Sequence, residues 1–253
     1  MSVAVEIPEL SSLAICVMCI AVLLSAIITS TTGMAGGLLM FAAMSIYIPL
    51  RPLVAIHGCV QVFNNGARSW YLRTFIKRRE CACFSIGVIA GAAVTTLVIS
   101  RYINEFWPIL VLTLLIIYTL FKPKHLPQIK VSPNGFIWVG FVTGVFGILV
   151  GVVDTILGVF FMRDDMSKEE IIANKSVMQT VTHFTKFPAF TYLGFSFFDH
   201  WQLIAILSIA GVIGTKLGIW LLHKLNNACF FLLMRLALGI ALIRMCMQLI
   251  QLS

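Results

Sequence analysis

Apolar runs of membrane length recur along this chain, separated by short polar breaks. The first runs cover residues 10–29 and 34–48, and a glycine-bearing stretch, 30–37, joins them. A third run, 53–72, is unusually polar and leads into a loop at 73–80 that carries Arg73, Lys77, Arg78 and Arg79. Runs at 81–100 and 106–121 follow, then a polar linker with Pro123, Pro127 and Pro133. Beyond it the plan repeats. An apolar stretch at 135–162 precedes a charged loop at 163–170, a polar segment at 171–192, and apolar segments at 201–222 and 229–249. A bilayer core takes roughly 20 apolar residues per helical crossing. The pattern therefore predicts an all-α integral membrane protein of eight to ten membrane segments, built as two inverted repeats. The expected units are a first membrane repeat at 1–122, a cytoplasmic linker at 123–134 and a second membrane repeat at 135–253.

The stretch 135–162 has an awkward length. Its 28 residues would make one helix of about 42 Å at 1.5 Å per residue. That is long for one crossing of a roughly 30 Å core and short for two. A broken or re-entrant helix fits better than one long tilted helix. Non-helical backbone at membrane depth is tolerated where protein or water shields it, so the break is expected to line a cavity.

Composition changes the picture only in degree. Sixty per cent of the 253 residues are hydrophobic and 11% charged, against about 25% charged in soluble domains. So little charge cannot cover a water-facing surface. The net charge of +8 would point to nucleic acid in a soluble protein. Here Lys and Arg collecting in cytoplasmic loops explain it, and nucleic acid is not an expected partner. The seven cysteines show no metal-ligand spacing with supporting histidines, and Cys81 with Cys83 is a weak pair. They read as small buried hydrophobes. The N-terminus carries Glu6 and Glu9, no Lys or Arg, and no basic region of a cleavable signal.

The halves match residue by residue. At a separation of 118 fall Ala55 and Ala173, His57 and Lys175, Gln61 and Gln179, Asn64 and Thr182, Asn65 and His183, Arg68 and Lys186. Gly33 and Gly37 have the spacing of Gly147 and Gly151. Ser85, Ile86 and Gly91 match Ser208, Ile209 and Gly214. Charge then orients the halves. With opposite senses, ten basic residues fall in inner loops: Arg73, Lys77, Arg78, Arg79, Lys122, Lys124, Lys130, Arg163, Lys168 and Lys224. Only Arg51 and Arg101 fall outside. Inverted repeats are a common transporter plan, with the site near the midplane. Both termini are then expected on the outer, periplasmic side of the inner membrane.

His57, Gln61, Asn64, Asn65 and Arg68 share one helix face, and Lys175, Gln179, Thr182, His183 and Lys186 repeat it. Intramembrane polar residues are expensive and usually face a polar cavity. This stripe offers donors and positive charge without a carboxylate, which suits an anion. It also fits polar glue between helices, with Arg68 and Lys175 snorkelling to the interface. Gly33, Gly36, Gly37, Gly147 and Gly151 sit at the expected breaks, where a helix N-terminus would favour an anion. Close helix packing is the other reading of them. Asp154 is the one acid deep in an apolar run, a candidate for proton coupling, for pairing with Lys175 or His183, or for capping a broken helix. Lys216 and Arg235 read as snorkelling residues. No catalytic set, Walker-type loop, metal site or cofactor motif emerges, and no enzyme is expected.

Two passages resemble the TauE/SafE family of sulfite exporters and related anion permeases. Residues 33–39, Gly-Met-Ala-Gly-Gly-Leu-Leu, followed by Pro49 and Ala55, look like its glycine-rich first motif. Residues 167–175, Ser-Lys-Glu-Glu-Ile-Ile-Ala-Asn-Lys, followed by Lys186, Phe187 and Pro188, look like its second-half motif. The chain departs at 151–154, Gly-Val-Val-Asp, where the family tends to repeat a glycine cluster. The resemblance implies a secondary transporter for sulfite or a related sulfur oxyanion or organosulfonate, working by alternating access. A permease for another organic anion and a non-transporting membrane assembly factor are the alternatives. Expected partners are a small anionic substrate, membrane lipid and, where the protein self-associates, further copies of this chain.

Overall fold

The computed structural model describes residues 9–34, 36–99, 110, 113–114, 117, 120–121, 130–149, 154–161 and 165–252. Among them every regular element is helical. Helix α1, Ser12–Thr32, starts where the Ser11 side chain accepts from the Ala14 N–H at 3.2 Å. It ends at Gly33, whose φ of 71° is a left-handed cap that only glycine adopts freely. Helix α2, Gly36–Met44, doubles back along α1. A side-chain carbon on Gly36 would run into the Ser25 carbonyl and the Thr29 hydroxyl. Helix α3, Leu50–Tyr71, carries Pro52 in its first turn, where a missing N–H costs nothing. A 3₁₀ turn, Arg73–Phe75, leads to α4, Arg78–Val94, which a π-helical turn extends over Thr95–Ile99.

The second half gives α5, Phe136–Leu149, and α6, Asp154–Phe161. Helix α7, Lys168–Phe184, opens with a reciprocal capping box between Ser167 and Glu170. Helix α8 is Lys186–Tyr192, α9 is Trp201–Lys224 and α10 is Asn227–Leu252. The described parts of the stretch 135–162 are helical, and the expected break falls at 150–153, outside the described residues. The expected polar segment 171–192 is two helices. Its break at Thr185 follows from Pro188, whose ring excludes the carbonyl of Phe184 four residues earlier.

Three described helices are long and apolar enough to cross a membrane: Ser12–Thr32, Arg78–Leu97 and Phe198–Lys224. Helix α2, with 9 residues, reaches only about 13 Å and cannot cross. The expected fifth segment, 106–121, and the linker lie mostly outside the described residues. Leu110, Thr113, Leu114, Ile117, Leu120 and Phe121 are helical.

The most extensive packings are α4 on α5 and α1 on α9. Lipid tails are as apolar as leucine, so helices here associate by close fit. Gly87 and Gly91 of α4 press on backbone of Ile137 and Phe141, while Gly140 and Gly144 of α5 press on backbone of Phe84 and Val88. Gly214 and Gly218 of α9 do the same to Leu23 and Ile27 of α1. Next in extent, α3 lies between α7 and α9.

The charged loops gather at one end. Lys77 pairs with Glu170 at 3.5 Å and Lys130 with Asp165 at 3.6 Å. The Asn174 side chain accepts from the Lys77 N–H at 2.7 Å and donates to the Phe75 carbonyl at 3.1 Å. Lys168 donates to the Leu225 carbonyl, and Glu169 lies 3.6 Å from His223. These contacts join the loops at 73–80, 165–170 and 223–226 into one polar face.

Candidate functional site

The interior is inverted relative to a water-soluble protein. On α3, Phe63 and Trp70 face outward, 52% and 67% exposed, while His57, Gln61, Asn64, Asn65 and Arg68 are buried. On α7, Phe184 faces outward, while Lys175, Gln179, Thr182 and His183 are buried, as is Lys186 at the start of α8. Apolar side chains meet lipid and polar ones meet each other, so the ten stripe residues form one seam. Arg68 and Lys175 are each 1% exposed, which removes the snorkelling reading for both. Lys216 and Arg235 are exposed, as snorkelling requires.

Helices α3 and α7 cross antiparallel. The His57 and His183 rings meet edge to face at 5.8 Å near one end. Gln61 and Gln179 meet in the middle. Arg68 and Lys175 lie at the other end, each bonded to the last turn of α1. Arg68 Nε donates to Ser30 Oγ at 2.9 Å and its Nη1 to Asn65 Oδ1 at 2.7 Å. Lys175 Nζ donates to the Gly33 carbonyl. Lys186 returns to the histidine end, where a side-chain carbon on Gly58 would lie 3.0 Å from Lys186 Cδ.

The middle of the seam is built from the start of α2 and from Asp154 of α6. The Asp154 Oδ1 accepts from Gln179 Nε2. Gly37, in the first turn of α2, stands beside it. A side-chain carbon there would lie 2.5 Å from Gln61 Nε2 and 2.9 Å from Asp154 Oδ2. The Gly37 carbonyl bonds His57 Nε2 at 3.0 Å. From this meeting point the two helices diverge. Met40 and Met44 of α2 pack with Met18, Val22 and Leu53, whereas Leu157 and Phe161 of α6 pack with Met166 and Phe136 near the charged face.

The glycines separate into different jobs. Gly33 caps α1 and its N–H is spent on the Thr29 carbonyl at 2.9 Å. Gly36 donates to the Met34 carbonyl at 2.9 Å and serves packing against α1. Gly37 borders the middle of the seam, and the Gly33 carbonyl meets Lys175 at its end. Gly147 is buried within α5, and Gly151 lies outside the described residues. Thr182 donates to its own helix, to the Met178 carbonyl at 2.7 Å. Asn64 reaches α9, where its side chain fills the space beside Gly211.

Electrostatically the seam is basic. Arg68, Lys175 and Lys186 are buried with one described acid, Asp154, which acts on both Arg68 and Lys175. The hydrogen bond of Asp154 is to Gln179. His183 Nδ1, Asn64 Oδ1, Ser208 Oγ and Thr215 Oγ1 are buried and have no hydrogen-bond partner among the described residues. Such atoms usually await a water or a ligand. Ser30 and Asn174 were not among the residues singled out from sequence. Ser30 opens the polar run before Gly33, and Asn174 precedes Lys175; each is a polar residue at the edge of an apolar segment.

A multi-pass helical bundle that hides a basic polar seam from lipid belongs to the class of membrane transporters. The family model described as sulfite exporter TauE/SafE matches residues 18–245, nearly the whole chain. The chain belongs to that family, whose members are membrane transporters of sulfur-related anions. No curated protein and no solved structure matches it.

Proposed function

We propose that this protein is a secondary transporter that carries sulfite, or a related sulfur oxyanion or organosulfonate, across the inner membrane by alternating access. The observation that carries this reading is the meeting of the start of α2 with Asp154 beside the matched glutamines Gln61 and Gln179, within a buried seam rich in Arg and Lys. Broken helices whose N-termini face a midplane site are a recurrent answer to anionic cargo. Gln61, Asn65, Gln179, His183 and Lys186 are the leading ligands, with His57, Asn64, Lys175, Thr182 and Gly37 around them. The buried Nδ1 of His183, without a partner among the described residues, supports a ligand at that end.

The two halves are inverted copies in this reading, and alternating access comes from rocking one against the other. Three features support it. The matched helices α3 and α7 cross antiparallel at Gln61 and Gln179, as a twofold axis in the membrane plane requires. The first helix of each half packs on the long helix that follows the polar stripe of the other, α1 on α9 and α5 on α4. The loops at 73–80, 165–170 and 223–226 share one face, which the positive-inside rule makes cytoplasmic.

Flux tests the proposal. Purified protein in liposomes is expected to move sulfite or a small sulfonate and to leave large carboxylates behind. Flux of other organic anions alone would make it a permease for those. No flux and no stabilisation by any anion would leave a membrane assembly role.

A further inference from the structure

Asp154 stands where an anion would be expected, and it is itself an anion. Gly36 and Asp154 are 118 residues apart, the separation that also relates Gln61 to Gln179. Gly36 opens α2 and Asp154 lies on α6. The first half therefore presents bare backbone where the second presents a carboxylate. That carboxylate is buried, accepts from Gln179 through Oδ1, and turns Oδ2 toward Gly37 and so toward the start of α2. The start of α2 favours negative charge beside it. The cations that act on it are Arg68 from α3 and Lys175 from α7.

We propose that the Asp154 carboxylate is a tethered occupant of the anion site, so that cargo binds by displacing it from Gln179 and Gly37. The proposal rests on the anion-transport reading and adds a residue that sets affinity. A substrate held between Gln61 and Gln179 would meet this charge at contact distance. Two like charges so close, with little water between them, repel strongly. The tether thus keeps the site neutralised and its donors satisfied when empty, and it weakens binding so that cargo can leave. In a family member with glycine at this position the donors would be open to cargo instead.

The test compares the full-length wild type with Asp154→Asn and Asp154→Gly, purified in lipid nanodiscs, by calorimetric titration with sulfite. Asparagine keeps the size and the acceptor for Gln179 and removes only the charge, so it guards against a folding defect in the glycine variant. Both variants are expected to bind sulfite at least about tenfold more tightly than the wild type. Equal or weaker binding in Asp154→Asn would make Asp154 a positioning group for Gln179 and overturn the proposal, while wild-type binding would leave the transport reading intact. If none of the three proteins binds sulfite or a small sulfonate, the anion site itself falls and the tether with it.

Discussion

Arg68 has two side-chain partners, Ser30 and Asn65, in a place where no bulk water could replace them. Its burial shows how little a residue's type alone reveals of its setting, since a terminal arginine on an apolar helix equally suits a snorkelling side chain. Gln179 and Lys186 are the sharper probes of function. Replacing either with Ala should reduce anion flux in liposomes by about tenfold to a hundredfold, the worth of a hydrogen bond to a charged group. The variants should still purify as folded protein, because each residue faces the seam rather than an apolar core. Unchanged flux would reduce the polar stripe to helix–helix glue.

At the level of elements, the α4–α5 crossing depends on backbone approaching backbone. A carbon added at Gly91 would overlap the Phe141 carbonyl, whereas one added at Gly66 of α3 meets nothing within 4 Å. Gly91→Ala is expected to destabilise by about 1–3 kcal/mol, the cost of overpacking. Gly66→Ala should instead stabilise by about 0.5–1 kcal/mol, because alanine loses less freedom in a helix. Thermal unfolding in detergent reads both, and equal shifts would contradict the packing argument. The two breaks differ in how visible they are beforehand. Pro188 marks the end of α7 in the sequence itself. A break before α6 is expected only from a segment of unsuitable length, and it falls at residues 150–153, outside the described part.

For the whole molecule the main question is orientation. Ion pairs and hydrogen bonds gather the loops at 73–80, 165–170 and 223–226 on one face. If that face is cytoplasmic, a reporter fused after Ser253 should be active only on the outer side, and so should one fused before Met1. A cytoplasmic C-terminus would remove the inverted arrangement. Membership of the TauE/SafE family points to a transporter of sulfur-related anions, and the basic seam agrees with that sign of charge.

Membrane residence and the polar stripes were legible in the sequence, because lipid permits polar groups only where they recur for a reason. The stripes could be matched by spacing alone, since helical periodicity fixes which residues share a face. Which glycine borders the site could not be read that way. Gly33, Gly36 and Gly37 are alike as letters, and only the packing of α2 against α1 and α3 assigns them to a cap, a contact and the seam. The place of Asp154 likewise came from the fold. Its partners lie 25 residues away, at Gln179, and more than 80 away, at Arg68. Sequence spacing carries no information about neighbours that only the crossing of helices brings together.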